Sequence, residues 1–203
     1  MGVTSADKAA LRQRLQAARR LVAGDVRAAE AESFIRHLEP LASSRITVCA
    51  YVPVSGEPGS MEMLEALRRR AARVLLPVAR VAADKVPLPL LWGEYRPGEL
   101  VGGRWGLREP PEPWLPESAV AEADLILVPA LAVDRRGVRL GKGLGFYDRS
   151  LAGIGPRTRL IALVRDEELV DELPCQPHDV RMTGVITPAR GLIALSGGQA
   201  SGV

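Results

Sequence analysis

Leu11, Leu15, Ala18 and Val22 recur at intervals of 4, 3 and 4. That is the period of a helix with one apolar stripe, and it predicts a helix over 5–22 with Ser5 as its N-cap. Lys8, Arg12 and Arg19 follow one side of the stripe, because at ~100° per residue they fall within about 40° of each other. Such cations ordinarily form a solvated face. The alternative is that they reach a ligand where the helix docks. Gly24-Asp25 breaks this helix and caps a second one through Leu38, which Pro40 ends.

The period then shortens. Ile46–Tyr51 is an apolar run of strand type, and 52–59 is a Pro/Gly loop. Ser60 is placed to cap a helix through about Arg70. Val74–Leu76 is the next strand, ended by proline. Strand, loop, helix, strand is a βαβ unit, which implies a parallel pair with a right-handed crossover. Residues 84–120 are rich in proline, glycine and tryptophan and read as a hairpin or excursion rather than a regular layer.

Beyond it, Leu125–Val128 is a buried-type strand. Leu131–Val133 and Val138–Leu140 flank a turn at Asp134-Arg135-Arg136-Gly137. Phe146–Leu151 starts a helix, Leu160–Val164 is a strand, Asp166–Leu173 a short helix and Val185–Thr187 a last strand. The expected architecture is a single α/β domain over 1–195. It has three layers, with a mainly parallel, Rossmann-like sheet flanked by helices, and 196–203 form a flexible tail. Ligands of such folds bind beyond the carboxyl ends of the strands. The 52–59 loop, the Pro129 turn and a glycine loop at 141–145 are then expected to converge.

Composition narrows the class. With 203 residues, 47% apolar and 25% charged, the chain has material for one substantial core. No apolar run reaches the ~20 residues of a membrane span, and the N-terminus carries no secretory h-region. Cys49 and Cys175 make no disulfide framework. With only two histidines there is no zinc pattern. A cytoplasmic setting fits. A net charge of +3 admits nucleic acid but does not require it, since 24 acidic residues interleave with 27 basic ones. A small polyanionic substrate explains the bias as well.

The chemistry concentrates in Arg139-Leu140-Gly141-Lys142-Gly143-Leu144-Gly145-Phe146-Tyr147-Asp148. Alternate glycines clear one edge of the backbone, so N–H groups can approach an anion closely. Arg139 and Lys142 offer positive charge to it. Asp148 supplies a carboxylate where a phosphate-bound magnesium needs one. Lysine is scarce here: only Lys8, Lys85 and Lys142 occur, so a lysine inside a glycine loop is a selected ammonium. The run is neither a Walker A loop nor a dinucleotide fingerprint, for Gly143 follows the lysine and the third glycine comes one residue early.

The longer stretch from Val128 through Arg149 resembles the signature of the 5-formyltetrahydrofolate cyclo-ligases, also called methenyltetrahydrofolate synthetases. The likeness extends over nearly the whole chain. It includes Lys8-Ala9-Ala10-Leu11-Arg12, the 51–60 loop with Glu57, Trp105-Gly106 with Glu109-Pro110, and His178-Asp179. The resemblance implies an ATP- and Mg²⁺-dependent closure of 5-formyltetrahydrofolate to 5,10-methenyltetrahydrofolate, with ADP and phosphate released. It implies that Lys8, Arg12 and the run Arg139, Leu140, Gly141, Lys142, Gly143, Leu144, Gly145, Phe146 and Tyr147 surround ATP. Lys142, Arg139 and Tyr147 would be catalytic. Val52, Glu57, Trp105 and Tyr147 would face the folate, and Asp148 and Asp179 would hold magnesium.

A monomer or weak homodimer acting on small molecules is expected, with no membrane or nucleic-acid partner. Two positions depart from the family pattern. Phe146 stands where a tyrosine is common, and Pro58 follows Glu57 where an aliphatic residue is usual, with Ser60 in the place of a threonine. Two other functions remain open. One is a different ATP-dependent enzyme of the same fold acting on another anion. The other is a non-catalytic nucleic-acid-binding relative.

Overall fold

Ser5–Leu21 (α1) and Gly24–Leu38 (α2) precede the sheet in a computed structural model that describes residues 5–54, 56–176 and 179–196. Thr47–Cys49 (β1), Met61–Arg70 (α3) and Arg73–Val78 (β2) form the expected βαβ unit, with β1 and β2 parallel. Ser60 is the N-cap of α3, and its Oγ accepts the Met63 N–H at 3.4 Å. Glu62 in the first turn and Arg68 to Arg70 in the last complement the helix dipole. Met63, Leu64 and Leu67 turn inward and are fully buried.

The chain continues through Leu91–Glu94 (β3), Val101–Gly102 (β4), Arg108–Glu109 (β5), Leu125–Pro129 (β6), Ala132–Asp134 (β7) and Arg139–Leu140 (β8). Phe146–Leu151 (α4), Arg159–Leu163 (β9), Leu169–Val170 (β10), Gly184–Thr187 (β11) and Gly191–Ala194 (β12) complete it. Seven strands form the main sheet in the order β12-β11-β9-β6-β1-β2-β3. The inner strands run parallel, and β12 and β3 pair antiparallel at the edges.

Both faces of the inner strands are covered, which is why they read as apolar runs instead of alternating ones. Val48, Leu125, Leu127 and Ile161 join Phe34 of α2 and Leu64 of α3 in one cluster. Cys49, Ile126, Val128 and Ala162 point the other way, toward Trp92 and Leu151. Burial pushes the Cys49 thiol well above its usual range, so it stays a neutral packing group.

A second, three-stranded sheet of order β10-β7-β8 stands beside the first. Leu11 and Leu15 of α1 pack on its Leu131, Val138 and Leu140. The turn between β7 and β8 is built on Asp134, which is fully buried and accepts from the N–H groups of Arg136, Val138 and Leu173.

Five local expectations change. β2 does not stop before Pro77 but runs through it to Val78. β1 is paired with β2 only as far as Leu75, so the missing proline N–H falls where β2 has no neighbour on that side. Part of the 84–120 excursion, β3, joins the main sheet, with Trp92 fully buried. Asp166–Leu173 is not a helix. A 3₁₀ turn at Asp166–Glu168 gives way to β10, because Glu168 is drawn away by buried arginines and Leu173 N–H goes to Asp134. A further strand, β12, follows Val185–Thr187 after a tight turn. In α1, Ala18 is exposed and Arg19 is buried in its stead. The predicted tail lies outside the described residues apart from Ser196.

Candidate active site

The sheet is built outward in two directions from its middle. β2 lies on one side of β1, whereas β6, β9 and β11 step away on the other. Loops leaving the carboxyl ends of β1 and β6 therefore diverge, and a crevice forms between them. A cavity of about 620 Å³ occupies this place. It is lined by Lys8 and Arg12 of α1, by Val52 and Glu57 after β1, by Trp105, by the whole run from Arg139 to Asp148, and by Asp179. The residues expected around ATP, folate and magnesium thus line one space.

Glycines 141, 143 and 145 do more than bare the backbone. A Cβ on Gly141 would lie 2.8 Å from Nη1 of Arg139, one on Gly143 3.4 Å from Cζ of Arg12, and one on Gly145 2.5 Å from Nη1 of Arg149. Each glycine makes room for a guanidinium. Arg12 Nε donates to the Gly141 carbonyl at 2.9 Å, and Arg149 Nη1 donates to the carbonyls of Leu144 and Gly145 at 3.1 and 2.9 Å. Gly143 and Gly145 also have positive φ, which a larger residue would adopt only with strain.

The two loop cations are both engaged. Lys142 Nζ meets Glu57 Oε1 at 2.7 Å, and Arg139 Nη2 donates to Asp148 Oδ1 at 2.6 Å. Glu57 is held from its other oxygen by the Val54 N–H at 3.0 Å, inside a turn closed by Glu57 N–H to Val54 O. Pro58, one of the two family departures, follows Glu57 directly in this loop. Its carbonyl accepts the Tyr51 hydroxyl at 2.8 Å, which anchors the loop. At the other departure, Phe146 and Trp105 meet edge-on with ring centroids 5.9 Å apart.

Tyr147 sits beside Arg139, whose guanidinium carbon is 5.8 Å from the ring centroid. Its hydroxyl and the Arg139 Nε are buried and have no hydrogen-bond partner among the described residues. Burial, reinforced by the Glu57 charge and opposed by Arg139, pushes the phenol well above its ordinary range, so it is a neutral donor. Buried donors without acceptors are costly. A ligand rich in oxygen would satisfy both.

The basic side of α1 is not a solvated face. Lys8 and Arg12 are half-buried against the site, and Arg19 is 3% exposed. Lys8 Nζ lies 3.5 Å from Asp179, whose carboxylate also accepts the Gln176 N–H at 2.7 Å. His178 lies outside the described residues. Cys175 is exposed and also lines the cavity.

Two residues, Arg165 and Glu168, escaped the sequence reading, and Arg19, read there as part of the basic side of α1, is buried with them. Arg19 hydrogen-bonds Glu168, and Arg165 joins the same buried group. Arg19 carried a signal, since residues 8, 12, 15 and 19 share a helix face. Glu168, one acid among three in a short segment, carried none.

Comparison with known proteins bears on this site. Residues 4–188 match the model of the 5-formyltetrahydrofolate cyclo-ligase family. A protein of that name from Mycolicibacterium smegmatis is 57% identical over 188 residues, covering 93% of this chain and 97% of its own. Another from Escherichia coli is 32% identical over 146 residues, covering 71% and 79%. The NMR structure of Aquifex aeolicus 5,10-methenyltetrahydrofolate synthetase superposes with a TM-score of 0.75 at 23% identity, covering 97% of this chain and 96% of that one. A synthetase from Mycoplasma pneumoniae gives 0.68 at 20%, covering 89% and 98%. These two likenesses establish the fold, and the sequence matches establish the lineage: the chain belongs to the 5-formyltetrahydrofolate cyclo-ligase family.

Proposed function

We propose that the protein closes 5-formyltetrahydrofolate to 5,10-methenyltetrahydrofolate at the expense of ATP, releasing ADP and phosphate. The observation that carries this reading is the gathering of phosphate-type and folate-type residues in one crevice, with Lys142 bonded to Glu57 at their boundary.

The chemistry requires such a boundary. A formamide carbonyl is a poor electrophile and its oxygen a poor leaving group. The formyl oxygen attacks the γ-phosphorus, and the bond from phosphorus to the bridging oxygen of ADP breaks. The neighbouring amine then attacks the activated carbon and loses its proton, and the carbon–oxygen bond breaks to release phosphate. The formyl oxygen leaves with that phosphate. Catalysis is therefore positioning and charge stabilisation, with no covalent nucleophile. Lys142, Arg139, Arg12 and Lys8 offset phosphate charge on one side. Glu57, Val52, Trp105 and Tyr147 shape the other, where the buried Tyr147 hydroxyl donates a hydrogen bond.

Asp148 and Asp179 are the residues that would hold magnesium. Both line the cavity, and no cage of three or more His, Cys, Asp or Glu occurs among the described residues. That fits an ion arriving on phosphate oxygens, since magnesium commonly takes one or two protein carboxylates and keeps waters. When bound, it neutralises charge on the phosphate oxygens.

Purified protein given ATP, Mg²⁺ and 5-formyltetrahydrofolate should develop the methenyl chromophore, and omission of either ATP or Mg²⁺ should abolish it. ATP turnover without folate product would instead favour another anionic substrate. No helix among the described residues is long and apolar enough to cross a membrane. We place the activity in the cytoplasm.

A further inference from the structure

A group of buried charges reaches from the crevice wall at Arg19 into the core behind it, and the proposed reaction does not use it. Arg19, Arg165 and Glu168 each have side chains 3% exposed, and Glu30 has 16%. Arg19 Nε and Nη2 donate to the two oxygens of Glu168 at 2.7 and 2.8 Å. Nη2 also donates to the Ala130 carbonyl, just beyond β6, at 2.6 Å. Glu168 Oε2 accepts the Arg165 backbone N–H at 2.8 Å. Arg165 Nε is shared between the oxygens of Glu30 on α2 at 3.0 and 2.9 Å, and its Nη1 donates to the Gly56 carbonyl at 3.2 Å.

Two arginines and two glutamates balance in charge. Burial works against the Arg19 cation, but the hydrogen bond and charge of Glu168 outweigh it and hold the guanidinium charged. Buried pairs are weak sources of stability, because desolvation offsets their attraction. A positional role explains the group better. It pins together the loops that leave β1, β6 and β9 and docks α1 against them. The β1 loop is gripped at Gly56, immediately before Glu57. Gly56 has a φ of +78, and a Cβ there would stand 3.4 Å from the Arg19 carbonyl, so the loop is pressed against α1. Lys8 and Arg12 have anchors of their own at Asp179 and Gly141.

We propose that Glu168 is a positioning residue for the folate half of the site, acting through Arg19 and Arg165 to aim Glu57. This rests on the cyclo-ligase reading above. Arg19 lines the cavity, whereas Glu168 and Arg165 stand outside its lining.

The test is the double variant Arg19→Met/Glu168→Leu, which removes both charges and so leaves no unpaired ion in the core. It is assayed beside wild type, Glu57→Gln and the triple combination. The expected result is a folded protein whose KM for 5-formyltetrahydrofolate rises about 10-fold, a shift within the coupling range of touching residues. Its KM for ATP should stay within about 2-fold of wild type, because the phosphate-side anchors are untouched. In the Glu57→Gln background the same double change should add little. An active wild type whose folded double variant keeps both KM values, or loses both alike, overturns the inference alone. Because Arg19 lines the cavity, Arg165→Met, which changes no lining residue, is measured beside the double variant, or in its place should that not fold, with the same two outcomes. A wild type that forms no methenyl product overturns the functional reading and this inference together.

Discussion

Lys142→Ala should lower kcat by about 10²–10³-fold at saturating ATP, the loss typical of one preorganised electrostatic contact. Lys142 sits in a loop whose alternate glycines admit Arg12, Arg139 and Arg149 close to the backbone, and it is the cation there that reaches across to Glu57. It is 43% exposed, so it can turn toward developing charge at small cost. An ammonium that strengthens its contact only as the phosphoryl group transfers acts on kcat, with ATP affinity little changed. Removing it also leaves Glu57 without its counter-ion, and this must be separated from the catalytic loss. Glu57→Gln supplies the control. If Lys142 serves only to hold Glu57, the two single variants should match in kcat and KM. If it stabilises transferred charge, Lys142→Ala should be slower by at least about tenfold, an energy of about 1.4 kcal/mol. Steady-state kinetics on wild type and the two single variants decide it.

Asp148→Asn should raise the magnesium concentration for half-maximal rate by about 10–10²-fold, the range seen when a group supporting a metal site is lost. The substitution is nearly isosteric. Asparagine keeps an oxygen that can accept from Arg139, so the hydrogen bond at 2.6 Å need not be lost and the loop should stay in place. What disappears is the charge. Asp179→Asn should act in the same direction and more weakly, since its carboxylate already serves Lys8 and the Gln176 N–H. A magnesium titration at fixed ATP and folate measures both. An unchanged midpoint with a lower kcat would mean that Asp148 is only the counter-ion of Arg139.

The elements that position this site were legible where local rules decide them. Ser60 announced α3, Asp134-Arg135-Arg136-Gly137 announced the β7–β8 turn, and Phe146–Leu151 came out with its bounds. The apolar runs of β1, β6 and β9 gave the buried parallel sheet. Failures came where tertiary partners outweighed local preference. The acids at 166–168 read as the start of a helix, yet Glu168 is held by a residue 149 positions earlier in the chain. Pro77 read as a strand end, yet it lies where no neighbour asks for its N–H. In α1 the stripe marked Ala18 as inward, but Glu168 and the Ala130 carbonyl draw Arg19 in instead. The glycine loop was legible because glycines and scarce lysines stand out in sequence, and Val52, Glu57, Trp105 and Asp179 came only through the family resemblance, whereas a buried charge network is visible only through its partners.

The central claim is that the formyl oxygen is phosphorylated, and isotope transfer tests it most directly. 5-Formyltetrahydrofolate carrying ¹⁸O in the formyl group is converted with unlabelled ATP, and the inorganic phosphate is examined by mass spectrometry. The account predicts one labelled oxygen in each phosphate released, matched to one ADP and one methenyl product. Methenyl product formed with unlabelled phosphate, the label passing to water, would contradict it.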